Sequence, residues 1–197
     1  MKTEAGYKQE LNKRYWLILL VFPVVVIMFL WLPWLLMQLG IQGMPDPPKP
    51  EITYGEFPFR LEYEMNGQIV VVEDTLICEF GGISADEGRG KFRIWKSYLA
   101  SGEDEILLLE VANPIENWKG TPRKQIIYYN PGAAGYYMGD MGEGVTYTHN
   151  FPDASIYEEY ADGSTMRGKI EAKELHDNFH IVLLDWRYTP PIENTFK

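Results

Sequence analysis

The sequence predicts an N-terminal transmembrane helix followed by a mainly β (α+β) soluble domain, a mostly antiparallel sheet with one short C-terminal helix. Three observations carry this. Residues Trp16 to Met37 read WLILLVFPVVVIMFLWLPWLLM, a run without a charged side chain. The next stretch, GIQGMPDPPKPE, is dense in proline and glycine. From Glu51 onward, apolar and polar residues alternate in short segments separated by turn pairs such as Asn66-Gly67 and Gly81-Gly82.

At about 1.5 Å per residue the apolar run reaches roughly 33 Å, enough to cross a hydrocarbon core of about 30 Å once. A buried core helix would be shorter and keep a polar face. Aromatic residues stand where headgroups would lie, with Trp16 at the start and Trp31 and Trp34 near the end. Pro23 and Pro33 interrupt the run, and each removes a backbone donor. A helix bent at these prolines could dock on a partner helix, although the run has neither a G-x-x-x-G face nor an internal charge. A cleaved signal peptide is the competing reading. Its apolar core would be about 7–15 residues long and end in an A-x-A-like site, whereas this run is longer and exits through LGIQGMP.

Lys8, Lys13 and Arg14 crowd the start of the span, while only Lys49 follows it before Arg60. The positive-inside rule therefore places the N-terminus in the cytoplasm and the long C-terminal part outside. The expected organisation is a cytoplasmic tail over 1–14, a membrane helix over 15–39 (the contact with the lipid bilayer), a proline-rich stalk over 40–50, and a β-rich extracytoplasmic domain over 51–197. The four stalk prolines favour an extended, semi-rigid backbone. The remaining length suits one domain with one core.

Within that domain, Phe57, Phe59, Leu61, Tyr63 and Met65 alternate with polar residues, and Asn66-Gly67 predicts a type I′ turn into QIVVVE. Asp74 is expected to turn the chain into a third strand, TLICEF, which Gly81-Gly82 would end. SADEGRGK reads as a loop. FRIWKSYL and ILLLEVA are expected to form another hairpin across ASGEDE, and RKQIIYYN a further strand. NPGAAGYYMGDMGEG reads as a glycine-rich surface loop. VTYTH and ASIYEEY carry weaker strand patterns. KIEAKELHDNF predicts a helix with Leu175 and Phe179 inward, and HIVLLDWRY a buried strand closed by Pro190-Pro191.

The formal net charge is −10, and the first fourteen residues carry four basic and two acidic side chains, leaving −12 for the rest. Such a surface disfavours nucleic acid and suits cations or basic partners. Cys78 is the only cysteine, so no disulfide can form within one chain, and its place in TLICEF makes it a core filler.

No stretch carries a catalytic, cofactor or nucleotide-binding signature. His176 and His180 are spaced for a metal pair but straddle the expected helix exit. His149 with Asp153 could form an acid/base pair, and Asp140 with Glu143, or Asp86 with Glu87, could ligate calcium. None follows a dedicated metal or catalytic pattern, so no cofactor or metal is expected. The middle of the chain is aromatic, with Trp95, Trp118, Tyr128 and Tyr129, and could offer a sugar-stacking or peptide-binding surface. Tyr136 and Tyr137 are the expected exposed binding aromatics, because a loop has little core reason to hold two tyrosines.

At YGEFPFRLEYE, LICEFGG, NPGAAGYYMGD and PPIENTFK the chain resembles single-pass, stalked membrane proteins of Gram-positive bacteria with no assigned function. The resemblance covers most of the outer domain and implies a cell-envelope setting, but no activity, ligand or catalytic residue. The expected function is a non-catalytic binding or accessory module of the bacterial cell envelope. The alternatives are an accessory subunit of a membrane transport or secretion complex and an envelope hydrolase with acids gathered from distant strands.

Overall fold

The computed structural model of the protein describes residues 4–142 and 144–197, with side chains described for Trp16 and from Val21 onward. Contacts divide the chain into two units. One comprises the residues up to Pro47 with Ile83–Phe92, and the other Pro48–Gly82 with Arg93–Lys197.

The first unit is dominated by helix α1, Glu4–Gly43, which runs unbroken through Pro23 and Pro33. Its segment Val21–Gly43 is long and apolar enough to cross a membrane, and it fits a single-pass anchor near the N-terminus. Side chains from Val21 to Met37 are exposed on every side of the helix, Trp31, Trp34 and Met37 among them. The helix carries on through Gly40–Gly43, so the extended segment expected from residue 40 starts only at Met44. Asp46 in that segment pairs with Lys91 at 2.8 Å.

The second unit holds two four-stranded antiparallel sheets around one core, rather than the single sheet expected. The strands of the first sheet are β1 (Tyr54–Met65), β2 (Gln68–Asp86), β3 (Gly90–Leu99) and β8 (Ile181–Tyr188), in the order β3-β2-β1-β8. The second sheet holds β4 (Ile106–Glu110), β5 (Lys124–Tyr129), β6 (Ala154–Glu159) and β7 (Thr165–Ile170), in sequence order. The β1–β2 hairpin forms at the predicted turn, where Asn66 and Gly67 both have positive φ, 52° and 77°. The turn expected at Asp74 does not form. β2 continues through it and through Gly81-Gly82 for 19 residues: β1 supplies a partner as far as Glu79, and β3 pairs along the other edge. FRIWKSYL lies in β3 beside β2, and ILLLE opens the second sheet, so the hairpin expected between them is a crossing from one sheet to the other.

Pro58 lies inside β1 without breaking it. The β8 ladder starts one residue later, at Phe59–Tyr188, and only the Pro58 carbonyl is used there, accepting from Thr189 N at 3.0 Å and Thr189 Oγ1 at 2.8 Å. The pairing of β1 with β8 shifts between Glu62 and Tyr63, leaving Leu184 as the extra residue. That bulge reverses the alternation of β8. Ile181 and Leu183 face the core before it, and Trp186 and Tyr188 stand opposite the inward Leu61 and Phe59 after it.

Phe57, Phe59, Leu61 and Tyr63 form the β1 side of the core, as the alternation predicts. Leu76 and Cys78 from β2, and Ile127, Tyr129, Ala154 and Ile170 from the second sheet, complete it. Helix α3, Ala172–Phe179, matches the predicted helix and buries Leu175 and Phe179. Its first N–H donates to Asp153 Oδ1 at 2.7 Å, and His180 closes it with a left-handed backbone, φ 53°. VTYTH is irregular, and β7 forms without a strand signal of its own, since TMRGKI lacks an apolar alternation. The C-terminus returns to Lys49 through reciprocal backbone bonds of 2.8 and 3.0 Å between Lys49 and Lys197, with Pro50 bridged to Phe196.

Candidate functional site

The inner face of the second sheet extends beyond the part that the core covers. On that face β5, β6 and β7 bring Gln125, Glu158 and Met166 into one row and Ile127, Ile156 and Gly168 into the next. Because Gly168 presents no side chain, the sheet surface beside Ile156 stays open. A pocket of about 300 Å³ lies there, bounded by the 115–118 loop on one side and by Glu174, Asn178 and Phe179 of α3 on another. Its size is at the lower end for small-ligand sites, about 300–1,000 Å³.

The closed end of this pocket is a buried polar network. Glu158 and Gln125 are 2% and 3% exposed. Glu158 accepts from Gln125 Nε2 at 2.7 Å through one oxygen, and from Asn117 Nδ2 at 2.7 Å and the Tyr160 hydroxyl at 2.8 Å through the other. Gln125 Oε1 in turn accepts from the Ile115 N–H at 3.0 Å. A carboxylate without water needs such donors, since an unmet buried polar group costs about 1–3 kcal/mol and a charged one more.

The network also sets the shape of the rim. Asn117 and Gly120 exchange backbone bonds of 3.1 and 2.9 Å, and Asn117 Oδ1 accepts from the Lys119 N–H at 2.8 Å. Trp118 therefore sits at the tip of a tight turn whose base is anchored to a buried carboxylate. Trp118 is 86% exposed, the most exposed of the described tryptophans. The core does not use it, and its turn is hydrogen-bonded from below. Lys119 stretches the other way, with Nζ over the Tyr160 ring at 4.4 Å and bonded to Ser164.

The pocket's charge is uneven. Glu116, Glu158 and Glu174 line it. Arg167 and Lys169 border it through β7, but alternation turns their heads to the opposite face. There Arg167 covers Tyr157 and pairs with Glu105 at 3.2 Å, while Lys169 pairs with Asp153 at 2.7 Å.

Tyr136 and Tyr137 do not form the exposed pair expected of them. The GAAGYYMGD segment folds into one helical turn, α2 (Ala134–Tyr137), which delivers its large side chains to the core. Tyr137 is 1% exposed, donates its hydroxyl to the Pro131 carbonyl at 2.7 Å and packs on Phe57. Tyr136 is half-buried between Tyr147 and His149, at ring separations of 4.6 and 5.4 Å. Burial holds the Tyr137 hydroxyl protonated well above the usual tyrosine range.

The same cluster occupies His149. Rings of Tyr188, Tyr147, Tyr136, Trp186 and Tyr137 surround its imidazole at 4.2–6.1 Å. Both ring nitrogens are shielded and lack partners, as does the Trp186 N–H. Burial lowers the His149 pKa. Asp153 is committed elsewhere, to Lys169 and the start of α3, so the acid/base pair with His149 does not assemble.

The other candidates are also accounted for by local bonds. Asp140 accepts from Arg93 Nε and Nη2 at 2.7 and 2.6 Å and from Trp95 Nε1 at 2.8 Å. Glu143 lies outside the described residues. Asp86 binds Arg89 and the Gly88 N–H. His176 contacts Asp177 at 3.0 Å on the exposed side of α3. Among the described residues no three His, Cys, Asp or Glu side chains are grouped closely enough to hold a metal ion. An open groove of about 740 Å³ runs along Pro58, Arg60, Glu73 and Arg187, where Arg60 pairs with Glu73 and Arg187 with Asp185.

No protein-family model, curated protein or solved structure matches the chain.

Proposed function

We propose that the protein is a single-pass membrane protein of the cell envelope, with its N-terminus in the cytoplasm and its β domain outside, and that this domain binds a ligand in the pocket beside Trp118 without catalysis. The observation that carries the binding role is a tryptophan left 86% exposed on a turn braced by a buried Asn117–Glu158 contact. Tryptophan is a common energetic anchor at interfaces, and one carried on a braced turn loses less backbone entropy on binding. The charge asymmetry around the apolar run supports the orientation.

Two experiments test this. Lys197→Cys should react with a membrane-impermeant thiol reagent in intact cells, while the parent chain should stay unlabelled because Cys78 is fully buried. Burial also pushes its thiol pKa up to about 12. Labelling only after lysis would reverse the orientation. A photo-reactive residue at position 118 should form a discrete adduct in intact cells, lost when Gly168→Val fills the pocket. An adduct indifferent to Gly168→Val would remove the pocket from the proposal.

A second reading has its own observation. An apolar groove of about 330 Å³ lies along α1 at Val25, Met28, Phe29, Leu32 and Pro33, and it favours an accessory subunit that recognises a partner helix within the membrane. Exchanging the span for an unrelated apolar helix separates the two: adducts formed at position 118 survive under the first reading and vanish under the second.

A further inference from the structure

The geometry points to a specific ligand class for the Trp118 pocket: the alkyl-ammonium or guanidinium side chain of a basic peptide. This rests on the reading that the pocket binds a ligand and adds what the ligand is.

Three features converge. The first is charge. Glu116 and Glu174 line the pocket at exposed positions, and neither has an ion pair among the described residues. The cations at the pocket's border are engaged elsewhere, Arg167 with Glu105, Lys169 with Asp153, and Lys119 over the Tyr160 ring and on Ser164, so none of them pairs with Glu116 or Glu174. An incoming anion would meet two carboxylates without ion pairs, and an incoming cation would supply their missing counter-charge. The second is the Trp118 ring. Exposed at the mouth, it is the best aromatic partner for a cation, and the Asn117 brace fixes the backbone turn that carries it. The third is the lining between these groups. Ile156, Met166 and Phe179 are apolar, suited to the methylene stem of a lysine or arginine and poorly suited to a compact hydrated ion.

The buried network makes the pocket selective. Glu158 spends its oxygens on Gln125, Asn117 and Tyr160, so it gives the closed end fixed negative character while keeping the rim in shape. Glu174 is left as the direct partner of the cationic head.

The test uses the full chain in a neutral detergent and a capped tripeptide, Gly-Lys-Gly, with its Nε-acetylated form as control. Binding is followed by heteronuclear NMR of the tryptophan indole N–H groups. The lysine peptide should shift the Trp118 signal saturably, with millimolar or tighter affinity, and the acetylated form should bind at least about tenfold more weakly. Glu174→Gln should weaken binding several-fold and increase the relative affinity for the acetylated form. Gly168→Val should abolish binding while leaving the other indole signals in place, because a Cβ at this site meets only Ile156 Cγ2, at 3.7 Å. The arginine analogue should bind in the same place, and free n-butylammonium more weakly than the peptide.

Equal affinity for the lysine and acetyl-lysine peptides would leave a binding pocket but overturn the cation assignment. Shifts unaffected by Gly168→Val would overturn the pocket as the site. No Trp118 shift up to about 10 mM of either the lysine or the arginine peptide would overturn the assignment outright. Equal affinity for n-butylammonium and the peptide would replace a peptide source with a small amine.

Discussion

Cys78 and His149 show how burial alone sets the character of a side chain. Cys78 is fully enclosed between the sheets, so Cys78→Ser places a hydroxyl where no partner waits and should cost about 1–3 kcal/mol, read from urea unfolding. His149 is held below its ordinary pKa by burial among aromatic rings. The unfolded chain takes up a proton near pH 6.5 that the folded chain still refuses, so stability falls as the pH drops from that value toward the lower folded one. Above the window the term is constant. His149→Phe should flatten this part of a stability–pH profile, and an unchanged slope would assign the loss to other groups. Asp140 titrates in the same sense: burial raises its carboxyl, but the bonds from Arg93 and Trp95 and the Arg93 charge outweigh this and hold it low. None of these environments was legible in the sequence. The identity of Cys78 as a core residue was, since it stands in the inward register of TLICEF.

The elements that were legible are those whose own residues determine them. The β1–β2 turn is one, because Asn-Gly suits two successive positive φ angles. Gly67→Val, at φ 77°, should destabilise the domain by about 1–2 kcal/mol, which thermal unfolding would register as roughly 2–8 °C. Helix α3 is another, with Leu175 and Phe179 one turn apart on its buried face. The bulge at Leu184 was not legible, because alternation in IVLLDWRY fits either parity until β1 fixes the pairing. Deleting Leu184 would remove the extra residue and leave every other pair in register, with Trp186 still opposite Leu61 and Tyr188 opposite Phe59. The expected result is that the near-ultraviolet circular dichroism of the aromatic cluster and the far-ultraviolet strand signal are both kept. Loss of the near-ultraviolet signal would show that the bulge itself shapes the cluster. The straight passage of β2 through Asp74 is hidden from the sequence for the same reason: a partner strand overrides a local turn former.

Across the whole chain, the ends of the β domain are fastened to each other. Lys49 and Lys197 exchange backbone bonds, Asn194 bonds the Ile52 carbonyl at 2.8 Å and N–H at 3.1 Å, and Arg93 stacks on Phe196 while bonding the Pro48 carbonyl. Removing Phe196 and Lys197 should therefore lower the melting temperature by several degrees and raise hydrogen exchange at Lys49 and Glu51 ahead of the core strands. Uniform exchange across the domain would show that the two ends are not a separate fastening. The sequence hints at this only through the prolines on both sides, whose missing donors leave few local bonds to compete with the long-range ones.

The sequence by itself determined the apolar span, the β-rich class of the domain beyond it, the first hairpin, the C-terminal helix and the acidic balance. Each arises from composition or from a period of a few residues, which neighbours in the chain suffice to specify. The tertiary structure alone decided that the strands divide into two sheets, that Tyr136 and Tyr137 turn inward, and that Trp118 stands outside. Those outcomes depend on contacts such as Asn117 with Glu158 and Tyr137 with Phe57, between residues far apart in sequence. A loop tryptophan and a loop tyrosine look alike until the chain closes around one and leaves the other in water.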